Sequence, residues 1–188
     1  TVVRVIAGEA KGRKLFSVPG KGTRPITDRV KESLFNILGP ETQDTKWLDL
    51  FAGTGSVGIE ALSRGARHVV FVDKVRKAVN VIYRNLRLTG FDDRAEVNRS
   101  DAFQYLRHAD EDRPFDIIYV APPQYQELWA DALKALDEKA FLTRDGLIIV
   151  QIHPKEAHPL DLEHLELLSE RRYGSTLLQF YGLKLEQV

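Results

Sequence analysis

The sequence predicts an α/β protein: a doubly wound, mostly parallel sheet of seven strands, preceded by a small basic β-hairpin and helix. Three observations predict it. Short apolar runs alternate with amphipathic stretches through the middle of the chain, the pattern of strand–helix–strand units around a parallel sheet. The first of these runs, Trp47 to Phe51, breaks into a glycine-rich turn carrying Gly53, Gly55 and Gly58. Three acids, Asp49, Asp73 and Asp101, fall at the ends of successive expected strands, and right-handed crossovers bring such ends to one edge.

Taken in order, Thr1 to Ala7 reads as a strand, Gly8 to Gly12 as a turn, and Arg13 to Val18 as a returning strand. Pro19-Gly20-Lys21-Gly22 is a loop. Thr27 or Asp28 caps a helix whose apolar stripe is Val30, Leu34, Ile37 and Leu38, stopped by Gly39-Pro40. After the glycine turn, Ile59 to Ser63 begins a helix. His68 to Val72 is a second strand ending in Asp73, and Val75 to Leu88 a long amphipathic helix closed by Thr89-Gly90. Ala95 to Arg99 is the third strand, Ala102 to His108 a helix, and Phe115 to Val120 the fourth strand. Gln126 to Leu136 reads as a helix and Gly146 to Gln151 as the fifth strand. Leu165 to Leu168 and Leu177 to Leu183 form an antiparallel pair. Residues 1–38 are expected to be an extension and residues 39–188 the main domain.

Composition narrows the function. The 188 residues carry no cysteine. This excludes disulfides, cysteine-ligated zinc, and pyrimidine methylation through a cysteine adduct. The histidines, His68, His108, His153, His158 and His164, lack metal-ligand spacing, so no metal is expected. The longest aliphatic runs, such as Leu147-Ile148-Ile149-Val150, are too short to span a bilayer. With no secretory pattern at Thr1 to Val5, a cytoplasmic location and no membrane partner are expected; nothing in the sequence suggests an obligate dimer, so a monomer is expected. Net charge is zero but uneven: residues 1–38 hold eight Lys/Arg against three Asp/Glu, and the remainder nineteen against twenty-four. A basic end on an acidic body suits a polyanion contact. Arg4, Lys11, Arg13 and Lys14 on the hairpin, with Arg24, Arg29 and Lys31 around the helix, are the candidates.

The glycine spacing fits a nucleotide-type cofactor approaching the main chain at the end of the first strand. By itself it is ambiguous between a nicotinamide dinucleotide and S-adenosylmethionine. Asp49, four residues before Gly53, favours the second, since a carboxylate attracts a cationic methionine moiety and repels a pyrophosphate. Phe51, Gly53, Thr54 and Gly55 form the turn. Asp73, eighteen residues after Gly55, can accept two ribose hydroxyls, with Lys74 beside it. Asp101 is placed to accept an adenine amino group or to cap the next helix, with Ala102 adjoining the ring.

Several segments carry a family resemblance: Arg4-Val5-Ile6-Ala7-Gly8, Lys11-Gly12-Arg13-Lys14-Leu15, Thr23-Arg24-Pro25, Thr27-Asp28-Arg29-Val30-Lys31-Glu32, Leu48 to Gly55 and Gly58 to Gly65. Along nearly its whole length the chain resembles the bacterial small-subunit ribosomal RNA guanine-N2 methyltransferases, a Rossmann-like, S-adenosylmethionine-dependent family. The resemblance implies that the basic extension meets small-subunit rRNA, free or within an assembling particle, and that the sheet holds the methyl donor. It also implies a catalytic loop after the fourth strand, where the family carries Asp or Asn, then Pro-Pro, then an aromatic. Here the loop reads Ala121-Pro122-Pro123-Gln124-Tyr125. Ala121 lacks a side-chain acceptor. The carbonyls of Ala121 and Pro122 and the amide of Gln124 are expected to take its place, and Tyr125 to stack one position late. A catalytically weak assembly factor is the alternative, motivated by Ala121; a nicotinamide-dependent dehydrogenase is suggested only by the glycines.

Overall fold

A computed structural model describes residues 2–20 and 25–185, which fall into two compact units, Thr1–Asp101 and Ala102–Val188. Among the described residues there are seven strands, of which the first five alternate with helices and the last two form an antiparallel hairpin, so the α/β, Rossmann-like class holds; the sheet is mixed, with its antiparallel pairing confined to the last strands.

In the first unit, β1 (Lys46–Leu50), β2 (His68–Asp73) and β3 (Ala95–Arg99) lie in the order β3-β2-β1, all parallel. Leu50 pairs with Val72 and Asp73 with Arg99, which sets the ends of β1, β2 and β3 side by side. β1 and β2 are buried almost throughout, as strands covered on both faces must be. Helix α1 (Asp28–Leu38) is capped by Thr27, whose hydroxyl accepts the Val30 N–H at 3.3 Å. Its buried face is Val30, Lys31, Leu34, Phe35 and Leu38. Ile37, expected in the stripe, is exposed; Phe35 is inside instead, stacked on Trp47 with ring centroids 5.5 Å apart. Helix α2 (Ser56–Ser63) is buried at every position, and α3 (Arg76–Thr89) is amphipathic and ends on Gly90 in the left-handed conformation.

The hairpin is slighter than its alternation suggests. Its arms form one isolated antiparallel bridge, Arg4 with Lys14, flanked by Val5 N–H to Arg13 O (2.9 Å) and Leu15 N–H to Val3 O (2.8 Å). The ladder stops because the other donors are taken by side chains of the body. Ile6 and Ala7 donate to the Glu60 carboxylate at 2.8 and 3.1 Å, and Phe16 to Asn85 Oδ1 at 2.7 Å. A backbone N–H satisfied by a buried side chain is as well paired as one in a ladder.

In the second unit the strand order is β4 (Phe115–Val120), β5 (Leu142–Ile152), β7 (Thr176–Leu183), β6 (Leu165–Tyr173). β4 and β5 run parallel, and β7 is antiparallel to both its neighbours. Helices α4 (Ala102–His108) and α5 (Leu128–Glu138) complete it. β5 begins at Leu142 and not at Gly146, because exposed Arg144 and Asp145 sit inside the strand and mask its start in the sequence. β6 runs on to Tyr173 for the same reason: Glu170, Arg171 and Arg172 are exposed, as charged residues on an outer strand are.

Candidate active site

The turn after β1 is built on positive φ angles: Phe51 at 63°, Gly53 at 60° and Gly55 at 78°. Ala52 N–H reaches Val72 O and Gly55 N–H reaches Ala52 O, each at 2.9 Å, so the turn is closed onto β2 and onto itself. The glycines do different work. A Cβ on Gly53 would meet no atom within 4 Å, so this backbone faces open space. A Cβ on Gly58 would sit 2.4 Å from Phe71 Cε1, so its absence lets α2 lie flat on β2. Gly53 is therefore free to meet a ligand, while Gly58 serves packing.

The three acids stand at the ends of neighbouring strands. Asp73 Oδ2 accepts the Gly53 N–H and Oδ1 the Val75 N–H, both at 2.9 Å. Its carboxylate thus fixes the glycine turn, and with roughly four lone-pair sites it retains capacity for further donors. Ser100 N–H donates to Asp73 O at 3.1 Å, drawing the Asp101 turn alongside. Asp101 is half-buried and Lys74 exposed. Asp49 is only 1 % exposed and accepts one N–H, from Gly58 at 3.2 Å. Burial pushes its pKa well above the ordinary carboxylate range, with the charge of Asp73 adding to the rise and the Gly58 hydrogen bond opposing it.

Beneath the turn lie residues whose supporting role the sequence pattern does not reveal. Lys31, expected to contact RNA, is 0 % exposed. Its Nζ donates to Arg4 O at 2.6 Å and Ser56 Oγ at 3.0 Å, and lies 3.4 Å from Glu60 Oε1. An ammonium so enclosed cannot reach a nucleic acid, and Lys31 is corrected to a structural residue. Glu60, also fully buried, further pairs with Arg64 at 2.8 Å. Asn85 of α3 donates to Thr54 O at 3.0 Å and Phe16 O at 3.1 Å. The one signal for it in the sequence is a polar Asn set among the apolar positions of α3. Of the remaining RNA candidates, Arg4 is exposed and pairs with Asp28 at 3.3 Å, and Lys11, Arg13, Lys14 and Arg29 are exposed. Arg24 lies outside the described residues.

The loop after β4 belongs to the second unit. Ala121 is half-buried, Pro122 buried, and Pro123, Gln124 and Tyr125 exposed; Ala102 is buried at the start of α4. Tyr125 has φ 61° and Glu127 φ 58°, a conformation costly for residues with a Cβ. The segment after β5 holds it. Tyr125 N–H donates to Glu156 Oε1 at 2.7 Å, whose other oxygen accepts the His153 N–H at 2.9 Å. The Tyr125 and His153 rings are 5.8 Å apart. Glu127 meets His158 Nε2 at 2.8 Å, and that hydrogen bond raises the His158 pKa above its ordinary value. Among the described residues no group of His, Asp and Glu could hold a metal ion, and no helix is long and apolar enough to cross a membrane.

A parallel sheet with a glycine turn and acids at its strand ends defines a protein of the Rossmann-like α/β class. The chain belongs to the family described as "Conserved hypothetical protein 95", matched over residues 3–182. It is 36% identical over 180 residues to "Ribosomal RNA small subunit methyltransferase D" of Haemophilus influenzae, covering 95% of this chain and 93% of that one. It is 33% identical over 179 residues to the Escherichia coli K12 protein of the same name, covering 95% and 89%. Among solved structures, a hypothetical protein of Thermus thermophilus superposes with a TM-score of 0.82 at 29% identity, covering 95% of this chain and 98% of that one.

Proposed function

We propose that this protein is an S-adenosylmethionine-dependent methyltransferase acting on the exocyclic N2 amine of a guanine in small-subunit rRNA. The observation that carries the reading is the open backbone at Gly53, held by Asp73, with Asp49 and Asp101 at the ends of the neighbouring strands, on a chain whose curated relatives are rRNA methyltransferases. The residues fit the cofactor: Gly53 presents an unobstructed main chain, Asp73 keeps acceptor capacity for a ribose diol, and Asp49 offers a carboxyl to a cation. Phe51, Thr54, Gly55, Lys74, Asp101 and Ala102 complete the cofactor set. When bound, the cofactor supplies an electrophilic methyl group on sulfur.

The chain's part in the chemistry is positioning. An exocyclic amine conjugated to a base is a poor nucleophile, so its two N–H groups need acceptors that turn the nitrogen lone pair toward the methyl group. The carbonyls of Ala121 and Pro122 and the Gln124 amide fill that role, with Pro123 stiffening the loop. Tyr125, exposed on its strained backbone, gives the extruded base an aromatic face. No covalent intermediate is required; orientation and electrostatics supply the rate. The basic residues of the hairpin and α1, namely Arg4, Lys11, Arg13, Lys14, Arg24 and Arg29, meet RNA phosphates, within an extension spanning residues 1–38. The protein acts as a monomer in the cytoplasm, without metal.

A second reading, an assembly factor with weak or no catalysis, is favoured only by the missing acceptor side chain at Ala121. A methylation assay on undermethylated small-subunit rRNA separates the two. Wild-type protein transfers methyl groups to guanine N2, detected by mass spectrometry of the digest, and Gln124→Ala and Tyr125→Ala each lower the rate at least about tenfold. Full activity in both variants overturns the loop assignment; cofactor binding without transfer to rRNA favours the assembly factor.

A further inference from the structure

The outer face of α3 is a second cationic surface. The helix, RKAVNVIYRNLRLT, contains no acidic residue. Arg76, Lys77, Arg84 and Arg87 are all exposed, although residues 39–188 as a whole are acidic. Arg76, Asn80, Tyr83 or Arg84, and Arg87 recur at helical spacing and share one face. No carboxylate among the described residues pairs with these cations, whereas Arg4, Arg64 and Arg94 each have one. Tyr83 stands among them 43 % exposed.

This face is physically joined to the basic hairpin. The Arg84 guanidinium lies 3.9 Å from the centre of the Phe16 ring, on the hairpin's returning arm. Directly beneath, Asn85 binds both the N–H and the carbonyl of Phe16, at 2.7 and 3.1 Å. Arg13 and Lys14 precede Phe16 on that arm and are exposed. Cations interleaved with exposed aromatics, on two elements held in register by hydrogen bonds from a buried Asn85, are the arrangement that tracks a phosphate backbone while offering rings to unpaired bases.

We propose that α3 contributes to the RNA interface through Arg76, Lys77, Arg84 and Arg87, with the Arg84–Phe16 pair as its junction with the hairpin. This rests on the RNA reading above. The site takes a phosphodiester backbone, bound mainly through charge, and extends the footprint beyond residues 1–38.

Filter binding of in vitro transcribed small-subunit rRNA over a KCl series tests it. Three proteins are compared: wild type, the α3 variant Arg76→Gln/Lys77→Gln/Arg87→Gln, and a control that loses the same charge in the second unit, Arg144→Gln/Arg171→Gln/Arg172→Gln. Glutamine keeps helix propensity, so circular dichroism of the α3 variant should match wild type. The expected result is weaker binding by the α3 variant, with a log affinity–log salt slope shallower by about 2–3, as for three lost phosphate contacts at roughly 0.7–0.9 each. The control keeps the wild-type slope. An α3 variant with wild-type affinity and slope overturns the proposal, and so does a control that falls equally. Wild-type protein that shows no salt-dependent binding removes the RNA reading itself, and this extension with it.

Discussion

Single residues divide the labour of the glycine turn. Gly53 and Gly58 belong to one motif, yet one faces open space and the other an aromatic ring. Asp49 and Asp73 are both acids at strand ends, yet Asp73 holds backbone N–H groups with both oxygens and Asp49 is enclosed with one. Enclosure gives Asp49 a testable signature. Its folded pKa is raised, chiefly by burial, so its contribution to stability is complete below the ordinary value of 3.8 and is lost as pH rises through the folded pKa. Urea unfolding across acid to neutral pH should therefore show wild type losing stability relative to Asp49→Asn, which cannot ionise. A bound cation favours the ionised carboxyl, so saturating cofactor should reduce the difference. Parallel curves for the two proteins would refute the raised pKa.

At the scale of elements, two buried polar side chains tie the hairpin to the site. Lys31 of α1 joins the hairpin at Arg4 O to the first residue of α2, Ser56; Asn85 of α3 joins it at Phe16 to the turn at Thr54. Gly8 completes the docking, because a Cβ there would lie 1.9 Å from Ser63 O at the end of α2. Glu60 keeps Arg64 and the Ile6 and Ala7 amides when Lys31 is removed, but Arg4 O and Ser56 Oγ lose their donor, so Lys31→Met should cost roughly 1–3 kcal/mol in urea unfolding. Asn85→Ala, which leaves the Phe16 and Thr54 groups without this partner, should cost about 1–3 kcal/mol. It should also speed hydrogen exchange at the Phe16 amide and weaken cofactor binding. Asn85→Ala with an unchanged Phe16 exchange rate would show that the hairpin is held by other means.

The molecule as a whole carries its charges in opposition, eight cations against three acids in residues 1–38 and nineteen against twenty-four in the rest. Polyanion binding then depends on salt in a way that cofactor binding does not. Raising KCl from about 50 to 200 mM should weaken rRNA binding at least about tenfold while leaving cofactor affinity nearly unchanged; equal losses in both would contradict separate charge-driven and shape-driven sites.

Most strands and helices are legible in the sequence, because a two-sided buried strand must be apolar and an amphipathic helix must repeat at its own period. β2, β3 and β4 have the expected limits within a residue. The extent of β5 and β6 is not legible, because exposed charged residues interrupt their apolar pattern. The glycine turn and its acids are legible from type and spacing, since the positive φ at Gly53 and Gly55 and the close packing at Gly58 call for glycine. Burial is not. Lys31 reads as a surface cation in any linear pattern, and only the packing of α1 against the hairpin and α2 encloses it beside Glu60. The pairing of Arg84 with Phe16 joins residues far apart in the chain, and only the path of the hairpin across α3 decides it. Local chemistry thus set the class of fold and the kind of site, because backbone conformation and hydrophobic period act over a few residues. Which cations face solvent and which hold the core was decided by tertiary structure, because desolvation depends on everything that packs around a charge.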